Sequence, residues 1–507
     1  MKVATLDLTV DHDTAESLRA PRTDLLIERL DADGVYRQET GPFRSYERHL
    51  SSHPAVGGGE RIEERTNFTL DVPVWAPVFH PLMKRALADP DRTPRPRWWW
   101  PREVLPAISA RLLGALSIIS IISGYLGVLI GQTITFAAEE FGANDAAQGR
   151  TLAAIRIGVI ISVIALRRAD RVGRRPLLIG FTSAALVFTL LGATASSLAQ
   201  LGFFQAISRG FTTGLLTLLI LAVTEEVPAG VRALGISLMT MCAALGGGMV
   251  LWVLPVADSS PGAWRWTYIA PVLFIPALIW AARRLPETRR FDIADEIQAP
   301  APVDRRRFAL IAFSAFASAL FLSPASQLLN EYLRDEQGMS AGAISVFRLL
   351  TGTPAGLVVL GAGIAADRIG RKPVGGIGLA LGVIFSLMVF FTSGATLWIV
   401  GAIGFWSLAG MSPALRGYQT ELFPTRSRAR VGGWIDLVAV SGSAVGLIAV
   451  GELSTRWDSL GQAIAVMAAA PLIVVLLVFF VYPETASREL EEFNPDDPDP
   501  QSAAIQR

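Results

Sequence analysis

The chain has a single cysteine, Cys242, among its 507 residues. This excludes an intramolecular disulfide framework and any metal or redox site built on paired cysteines. Histidine is also scarce, and all four histidines lie in the first fifth of the chain: His12, His49, His53 and His80. Charged residues make up only 18%, against about 25% in soluble domains. The net charge of +1, without a basic block, gives no footprint for nucleic acid.

Charge is also unevenly distributed along the chain. Residues 1–105 hold 32 of the 89 charged residues, whereas the following 402 residues hold 57, and 51% of all residues are hydrophobic. This split predicts a soluble head followed by a membrane body. No signal peptide is visible, because Met1 is followed by a charged segment and the first long apolar run begins after Arg111. The N-terminus is therefore expected to stay in the cytoplasm.

Within the head, residues 34–49 and 61–74 alternate like strands, and Ala76–Leu87 has the pattern of a short amphipathic helix. Residues 95–102 combine indole rings with guanidinium groups, which favour the headgroup level of a membrane. The head is thus expected to be a small cytoplasmic α+β region that ends in a linker on the membrane surface.

Twelve apolar runs follow the head, each near the roughly 20 residues that a membrane-spanning helix needs. We number them spans 1 to 12. They lie at residues 112–138, 151–166, 177–195, 198–223, 233–256, 266–282, 308–329, 341–364, 374–392, 397–419, 432–453 and 461–482. Most arginines between spans fall in the loops after even-numbered spans, and positive charge in short loops marks the cytoplasmic side. This predicts a multi-pass cell-membrane protein with both termini in the cytoplasm.

Three loop motifs recur at an offset of 196 or 197 residues. They are Asp-Arg-x-Gly-Arg-[Arg/Lys]-Pro at 170–176 and 367–373, Glu-x-x-Pro-x-x-x-Arg at 225–232 and 421–428, and Pro-Glu-Thr at 286–288 and 483–485. Internal repeats of this kind are typical of transporters built from two related bundles. The repeat therefore predicts two sets of six spans joined by a long loop.

These motifs resemble the loop signatures of the major facilitator superfamily across residues 106–490, in particular those of its sugar-porter and metabolite:proton symporter branch. The resemblance implies an all-α membrane protein of twelve transmembrane helices in two pseudo-symmetric six-helix bundles, the major facilitator fold. The domains implied are a head with its linker at 1–105, an N-terminal bundle at 106–284, an inter-bundle loop at 285–307, a C-terminal bundle at 308–482 and an acidic cytoplasmic tail at 483–507.

The resemblance also implies a gate on the cytoplasmic side, where loop acids meet helix starts and arginines of the other bundle. Asp170 would then meet the start of span 11 near Gly432, and Asp367 the start of span 5 near Gly235. The alternative is that these charges only set the topology through static pairs. The gate residues implied are Asp170, Gly173, Arg174, Glu225, Arg232, Asp367, Gly370, Arg371, Glu421 and Arg428.

Charged residues at membrane depth are costly unless they face a wet cavity or a partner, so each one is a functional candidate. Four arginines and two acids fall within the predicted spans or at their ends. They are Arg156, Arg209, Arg348, Arg416, Glu331 and Asp436. An excess of arginine favours an anionic substrate, because guanidinium groups pair bidentately with carboxylates.

Side chains on shared helix faces complete the predicted substrate site. Gln327, Asn330 and Glu331 lie three and four residues apart on span 7, and Tyr125 and Gln132 lie seven apart on span 1. The substrate-binding residues that we predict are Tyr125, Gln132, Arg156, Gln327, Asn330, Arg348 and Arg416.

Coupling to protons is assigned to Arg209 and Glu331. Arg209 is similar in position to the arginine of the family's fourth helix, which is often linked to proton coupling, although a structural ion pair is the alternative. Glu331 is the first candidate for the titrating carboxylate, with an interfacial cap as its alternative. Two departures from the family matter here: Leu126 stands where the first helix commonly has a proton-accepting Asp, and Arg416 lies near the position of the sugar porters' stacking Trp.

The sequence thus predicts a secondary active transporter that moves a small polar solute, an organic acid or anionic metabolite or a sugar, by proton-coupled alternating access. The alternatives are a drug or metabolite efflux antiporter and a non-transporting membrane receptor with a cytoplasmic sensor head. Expected partners are the lipid bilayer, a small-molecule substrate and protons, but no nucleic acid. No cofactor or metal is expected, and no enzyme, because nothing resembles a nucleophile elbow, P-loop or zinc-binding helix.

Overall fold

The structure is a computed structural model, and it describes residues 2–55, 59–92, 103–143, 145–166, 172–286, 303–329, 332–333, 336–339, 341–352, 354–457 and 459–494. The chain forms two compact units. One comprises Met1–Ile118 with Arg283–Pro286, and the other Ile119–Ala282 with Glu287–Arg507. The first unit holds the head and the beginning of span 1, and the second holds most of the membrane-spanning helices.

The head is a five-stranded antiparallel sheet of order β1-β5-β4-β3-β2 with two helices. Its elements are β1 (Lys2–Val10), α1 (His12–Arg19), β2 (Ile27–Leu30), β3 (Tyr36–Thr40), β4 (Phe43–Pro54), β5 (Glu60–Leu70) and α2 (Ala76–Leu87). The predicted helix at 76–87 is confirmed. The predicted strand at 34–49 is divided into β3 and β4, because Gly41 and Pro42 interrupt it and proline has no N–H for the ladder.

A buried ionic cluster lies inside the head. Arg48 forms ion pairs with Glu28 at 2.6 Å and with Glu64 at 3.5 Å, and all three side chains are almost fully buried. Burial and the negative charge of Glu28 raise the pKa of Tyr46, which donates a hydrogen bond to that carboxylate. Buried ions are tolerated only when paired. Removing any one of these charges would therefore leave an unpaired ion inside the head.

Two polar contacts join the head to the beginning of span 1. Asp71, just after β5, accepts hydrogen bonds from Arg111 Nε at 3.0 Å and Nη2 at 2.6 Å. Trp75 Nε1 donates to Ser117 Oγ at 2.9 Å. The head is thus held to the first membrane helix by side-chain bonds as well as by the chain.

The described membrane part is helical. In chain order its spans are Ala107–Glu140, Asp145–Arg156 with Val159–Leu166, Arg174–Gly192, Leu198–Glu226, Arg232–Val253, Arg265–Ile269 with Ile275–Arg284, Arg305–Gln327, Ala341–Gly352 with Ala355–Arg368, Arg371–Met388, Gly394–Glu421, Thr425–Trp457 and Leu460–Phe480. Within the described residues, eleven helices are long and apolar enough to cross a membrane, and a shorter apolar helix, Ala154–Leu166, lies where span 2 is predicted. This agrees with the predicted architecture of twelve spans.

The two halves of the membrane part, spans 1–6 and spans 7–12, repeat one close helix contact. A Cβ on Gly246 of span 5 would lie 1.9 Å from the carbonyl oxygen of Ile121 in span 1. A Cβ on Gly442 of span 11 would lie 2.5 Å from the carbonyl oxygen of Phe316 in span 7. Glycine permits such close backbone approach, as small residues do at membrane helix contacts. These two glycines are 196 residues apart, so the packing follows the same repeat as the loops.

Candidate functional site

A buried ion cluster joins the two halves at the end that carries the arginine-rich loops, which we call the basic side. Glu225, at the end of span 4, accepts hydrogen bonds from Arg174 Nε at 3.0 Å and Nη2 at 2.8 Å. Arg428, near the start of span 11, donates to the same carboxylate at 3.3 Å. We call Arg174, Glu225 and Arg428 the first clasp. Because Arg174 also donates to the carbonyl oxygen of Thr425 at 2.9 Å, spans 3 and 4 are fastened to span 11.

The second half has a second clasp, made of Asp367, Arg371 and Glu421, in which Arg371 and Glu421 are equivalent to Arg174 and Glu225. Asp367, at the end of span 8, accepts hydrogen bonds from the backbone N–H groups of Ala233 at 3.1 Å and Leu234 at 2.9 Å. Arg371 forms ion pairs with Glu421 and, at 3.6 Å, with Asp367. A carboxylate at a helix start satisfies otherwise unpaired N–H groups and meets the positive end of the helix dipole. Asp367 therefore fastens span 8 to the first turn of span 5.

The segment after span 12 supplies two further acids to the basic side. Glu484 accepts hydrogen bonds from the backbone N–H groups of Arg371 at 2.9 Å and Lys372 at 3.1 Å, in the first turn of span 9. Glu489 accepts one from Arg232 at 3.0 Å. Sequence reasoning did not predict either role. The recurrence of Pro-Glu-Thr was the signal for Glu484, whereas Glu489 carried no such signal.

Both glycines of the predicted gate adopt left-handed backbone conformations. φ is 98° at Gly173 and 127° at Gly370, immediately before spans 3 and 9. At Gly370 a Cβ would also lie 2.6 Å from Glu484 Oε2. A larger residue would therefore disturb both the turn and the capping carboxylate. Of the other predicted gate residues, Asp170 lies outside the described residues.

Polar side chains of both halves meet around Arg156 in span 2. Its Nη2 donates to Gln327 Oε1 of span 7 at 2.6 Å, and its Nη1 is 3.4 Å from Ser443 Oγ of span 11. Gln327 Nε2 in turn donates to Ser323 Oγ at 2.6 Å. Two predicted substrate-binding residues, Arg156 and Gln327, are thus brought into direct contact. The two serines were not predicted, because hydroxyl residues are common in membrane helices and carry no spacing signal.

Arg209 of span 4 lies close enough to Arg156 for the two positive charges to act on each other. Its Nη1 donates to the carbonyl oxygen of Gly127 in span 1, and the residue is exposed. Among the described residues, neither arginine forms an ion pair with an acid, since their hydrogen-bond partners are an amide, a hydroxyl and a carbonyl. The pair therefore forms a positive region whose countercharge has to come from elsewhere.

The other two arginines predicted for the interior lie in the second half. Arg348 Nη2 donates to the carbonyl oxygen of Ser326 at 2.9 Å, and its guanidinium lies 5.8 Å from the ring centre of Phe405. Arg416 is exposed, and its positive charge acts on Asp436 of span 11. These contacts of Arg348 and Arg416 are with residues of the second half, whereas those of Arg156 cross between the halves.

The remaining predicted site residues have different surroundings. Tyr125 is 2% exposed, donates to the carbonyl oxygen of Thr267 at 2.8 Å and stacks edge-on with Phe274, so it packs span 1 against span 6. Gln132 is exposed on span 1. Asn330 and Glu331 lie outside the described residues.

At the end of the membrane part opposite the basic side, the first half has an additional ion pair. Glu140, beyond the apolar part of span 1, accepts hydrogen bonds from Arg265 and from Trp264 Nε1, the latter at 2.6 Å. Burial raises the pKa of Glu140, but the bonds from Arg265 and Trp264 outweigh it and hold the pKa below its ordinary value of 4.5. The carboxylate is therefore ionised at neutral pH and fastens span 1 to span 6.

Two repeated halves of membrane-crossing helices, fastened by buried clasps at one end, define a multi-pass membrane transporter. The family model described as Major Facilitator Superfamily matches residues 116–359 and 308–504. The chain therefore belongs to the Major Facilitator Superfamily, whose fold is that of non-enzymatic transporters.

Three known proteins illustrate the similarity. D-xylose-proton symporter-like 2 of Arabidopsis thaliana is 26% identical over 399 residues, covering 65% of this chain and 78% of that protein. The gentisate transporter of Corynebacterium glutamicum is 24% identical over 412 residues, covering 76% of this chain and 92% of that protein. The solved structure of the proton:xylose symporter XylE with 6-bromo-6-deoxy-D-glucose aligns with a TM-score of 0.63 at 16% identity, covering 76% of this chain and 98% of that one. At that identity the structural likeness shows the fold alone.

Proposed function

We propose that this protein is a secondary active transporter that carries a small organic carboxylate together with a proton by alternating access. The observation that carries the proposal is the pair Arg156 and Arg209, two guanidinium groups of the membrane interior that act on each other and have only neutral described partners. Positive charge at membrane depth is costly without a countercharge. An anionic substrate supplies that countercharge when it binds.

The contacts of Arg156 also link substrate binding to movement of the halves. Its bonds to Gln327 and Ser443 cross from the first half to the second. A carboxylate accepts two parallel bonds from one guanidinium, so a bound substrate competes with those inter-half bonds. Occupancy of the site therefore changes the free energy of the interface that alternating access has to rearrange.

The clasps provide the other requirement of alternating access, a closed state on one side. Both are formed in this structure, and positive charge in the surrounding loops favours a cytoplasmic position for the basic side. On this proposal the head and the tail are cytoplasmic domains, the protein lies in the cell membrane, and residues 106–284 and 308–482 rock as two bundles about the Arg156 site.

The name of one relative, a gentisate transporter, supports an organic acid as substrate. A neutral sugar is the second candidate, because another relative is named a xylose-proton symporter-like protein and Gln327 offers an amide near the site. The arginine pair favours the acid, since a sugar leaves both guanidinium charges uncompensated. Both named relatives are consistent with a small polar solute.

Uptake into proteoliposomes tests the proposal. We expect the purified protein to take up labelled gentisate or benzoate in preference to labelled xylose. Arg156→Gln and Arg209→Gln should each raise the KM for the carboxylate, because losing a hydrogen bond to a charged group costs about 1.5–3 kcal/mol, or roughly 10- to 150-fold in affinity. Arg456→Gln, at an exposed arginine near the end of span 11, is the matched control. Unchanged carboxylate uptake in both variants, or a preference for xylose, contradicts the proposal.

A further inference from the structure

A carboxylate of span 11 bonds across the two halves of the membrane part. Asp436 Oδ2 accepts a hydrogen bond from the hydroxyl of Thr217 in span 4. Among the described charged residues of the helices that pack against span 11, Arg416 of span 10 is the one whose field acts on Asp436. The carboxylate thus has one neutral donor in the first half and one positive neighbour in the second.

The position of Thr217 on span 4 places its bond to Asp436 between the arginine pair and the first clasp. Thr217 is eight residues after Arg209 and eight before Glu225 on the same helix. At a rise of about 1.5 Å per residue, it lies roughly 12 Å along the axis from each. The bond to Asp436 therefore lies between the arginine pair and the first clasp, where the halves have to separate when the basic side opens.

An ionised carboxylate in this position is expensive to maintain for packing alone. An acid inside a membrane span is costly, and it is usually found where it faces a partner or a proton pathway. Leu126 occupies the position in span 1 at which the family commonly has its proton-accepting Asp, so the proton of the proposed symport needs another acceptor. Asp436 is an acid of the described interior that does not belong to a clasp or to a helix end.

We propose that Asp436 is the proton-binding group of the transport cycle; this rests on the proposed function. When ionised, Asp436 accepts the Thr217 hydroxyl bond, which holds span 11 against span 4, and it attracts Arg416 of span 10, which favours the ionised form. A proton bound to a carboxylate oxygen neutralises the group, weakens that bond and removes the attraction. The halves then separate on the basic side, where the proton leaves and the ionised form is restored.

A conformational measurement without substrate tests this directly. Val172 and Ile369 are exposed and 197 residues apart, each just before a gate glycine, so they suit paired spin labels as Val172→Cys and Ile369→Cys in a Cys242→Ser background. We expect the label distance in the parent protein to lengthen as the pH falls, whereas Asp436→Asn stays at the longer distance at every pH. Glu452→Gln, at an exposed acid on the same span, is the matched control and should keep the parent response.

Thr217→Val provides a second variant whose side chain has nearly the same shape. This variant removes the hydroxyl that donates to the ionised Asp436 carboxylate, so the ionised form is less favoured. The pH midpoint of the distance change should therefore move upward, while the distance change itself remains. A response in Asp436→Asn that equals that of the parent overturns the proposal. So does a Thr217→Val midpoint that does not move.

Transport measurements separate this inference from the proposed function. In proteoliposomes, Asp436→Asn should retain exchange of labelled gentisate or benzoate across the membrane and lose accumulation driven by a pH gradient, which for one proton amounts to about tenfold per pH unit. Loss of exchange as well as accumulation indicates a structural role and contradicts the proposal, as does retained accumulation. If the protein without these substitutions transports neither gentisate nor benzoate, the proposed function fails. The distances between the spin labels still decide the role of Asp436.

Discussion

The two clasps occupy equivalent positions in the repeat but have different partners. Glu225 of the first clasp receives arginines from both halves, Arg174 at 2.8 Å and Arg428 at 3.3 Å. Glu421 of the second clasp pairs with Arg371, and the described structure contains no ion pair between Glu421 and Arg232. Arg232, the equivalent of Arg428, instead pairs with Glu489 in the segment after span 12. The repeat therefore determines which residues lie at the basic side, whereas the surrounding segments determine which pairs form.

The largest expected effect is a difference between the two clasp glutamates. Glu225→Gln removes the charge of a carboxylate that two buried arginines share, and breaking a buried ion pair costs about 3–5 kcal/mol. Glu421→Gln leaves Arg371 with Asp367 at 3.6 Å, so a smaller loss of about 2 kcal/mol is expected. Chemical unfolding in detergent measures both variants. Equal losses in the two variants would show that the clasps are equivalent despite their different partners.

Asp367→Asn sharpens the comparison at the helix start. The amide still accepts a hydrogen bond from the first turn of span 5, but the charge that meets the helix dipole and Arg371 is lost. We expect a destabilisation of about 1–2 kcal/mol, typical of a lost favourable helix-end charge or cap. Asp367→Glu keeps the charge but changes the shape of the side chain, so comparing the free energies of unfolding of the two variants separates charge from shape. Similar losses of stability in both variants would assign the effect to shape.

A smaller effect is expected for the tail partner of Arg232. The Glu489 side chain is 51% exposed, and an exposed ion pair contributes about 0–1 kcal/mol. Glu489→Gln should therefore reduce the free energy of unfolding by less than either clasp variant. Glu492→Gln, 56% exposed beside Arg488, is the matched control. A loss as large as that of Glu225→Gln would mean that the tail is a full member of the clasp.

A similarly small effect is expected at the opposite end of the first half. Because the pKa of Glu140 is lowered on folding, its contribution is fully present above the unfolded value of 4.5 and is lost as the pH falls through the folded value. Glu140→Gln should reduce stability by about 0.5–1 kcal/mol at neutral pH and by progressively less in acid. Glu139→Gln, at the exposed neighbour, should leave stability unchanged. A Glu140→Gln deficit that persists in strong acid rules out this explanation.

The helices of this protein follow from local pattern, whereas the site follows from contacts between distant segments. Run length and hydrophobicity predicted the spans, and amphipathic spacing predicted helix α2 at its observed limits. The repeated loops identified Asp367 as a candidate gate residue. Their resemblance to the family's motifs predicted its partner, the start of span 5. Span 2 was predicted as one run, but Gly158 lies where its helix is interrupted and packs against the carbonyl oxygen of Ala206.

Partners contributed by neutral residues could not be predicted from the sequence. Thr217, Ser323 and Ser443 are ordinary hydroxyl residues of apolar helices, and only the folded arrangement brings them to Asp436, Gln327 and Arg156. Charged residues are rare in the spans and are therefore easy to find in the sequence. The hydroxyl residues that bond to them are common. Which hydroxyl residue bonds to which polar side chain therefore depends on the packing of helices that are far apart in the chain.

The bonds from Asp71 to Arg111 and from Trp75 to Ser117 have a practical consequence for any shortened version of this protein. Cutting away the first 95 residues removes not only a folded module but also the countercharge of Arg111 at the beginning of span 1. Poor insertion of such a chain would then report the loss of that countercharge and not the role of the head. The informative comparison is a shortened chain that also carries Arg111→Gln, set beside the full-length Arg111→Gln variant.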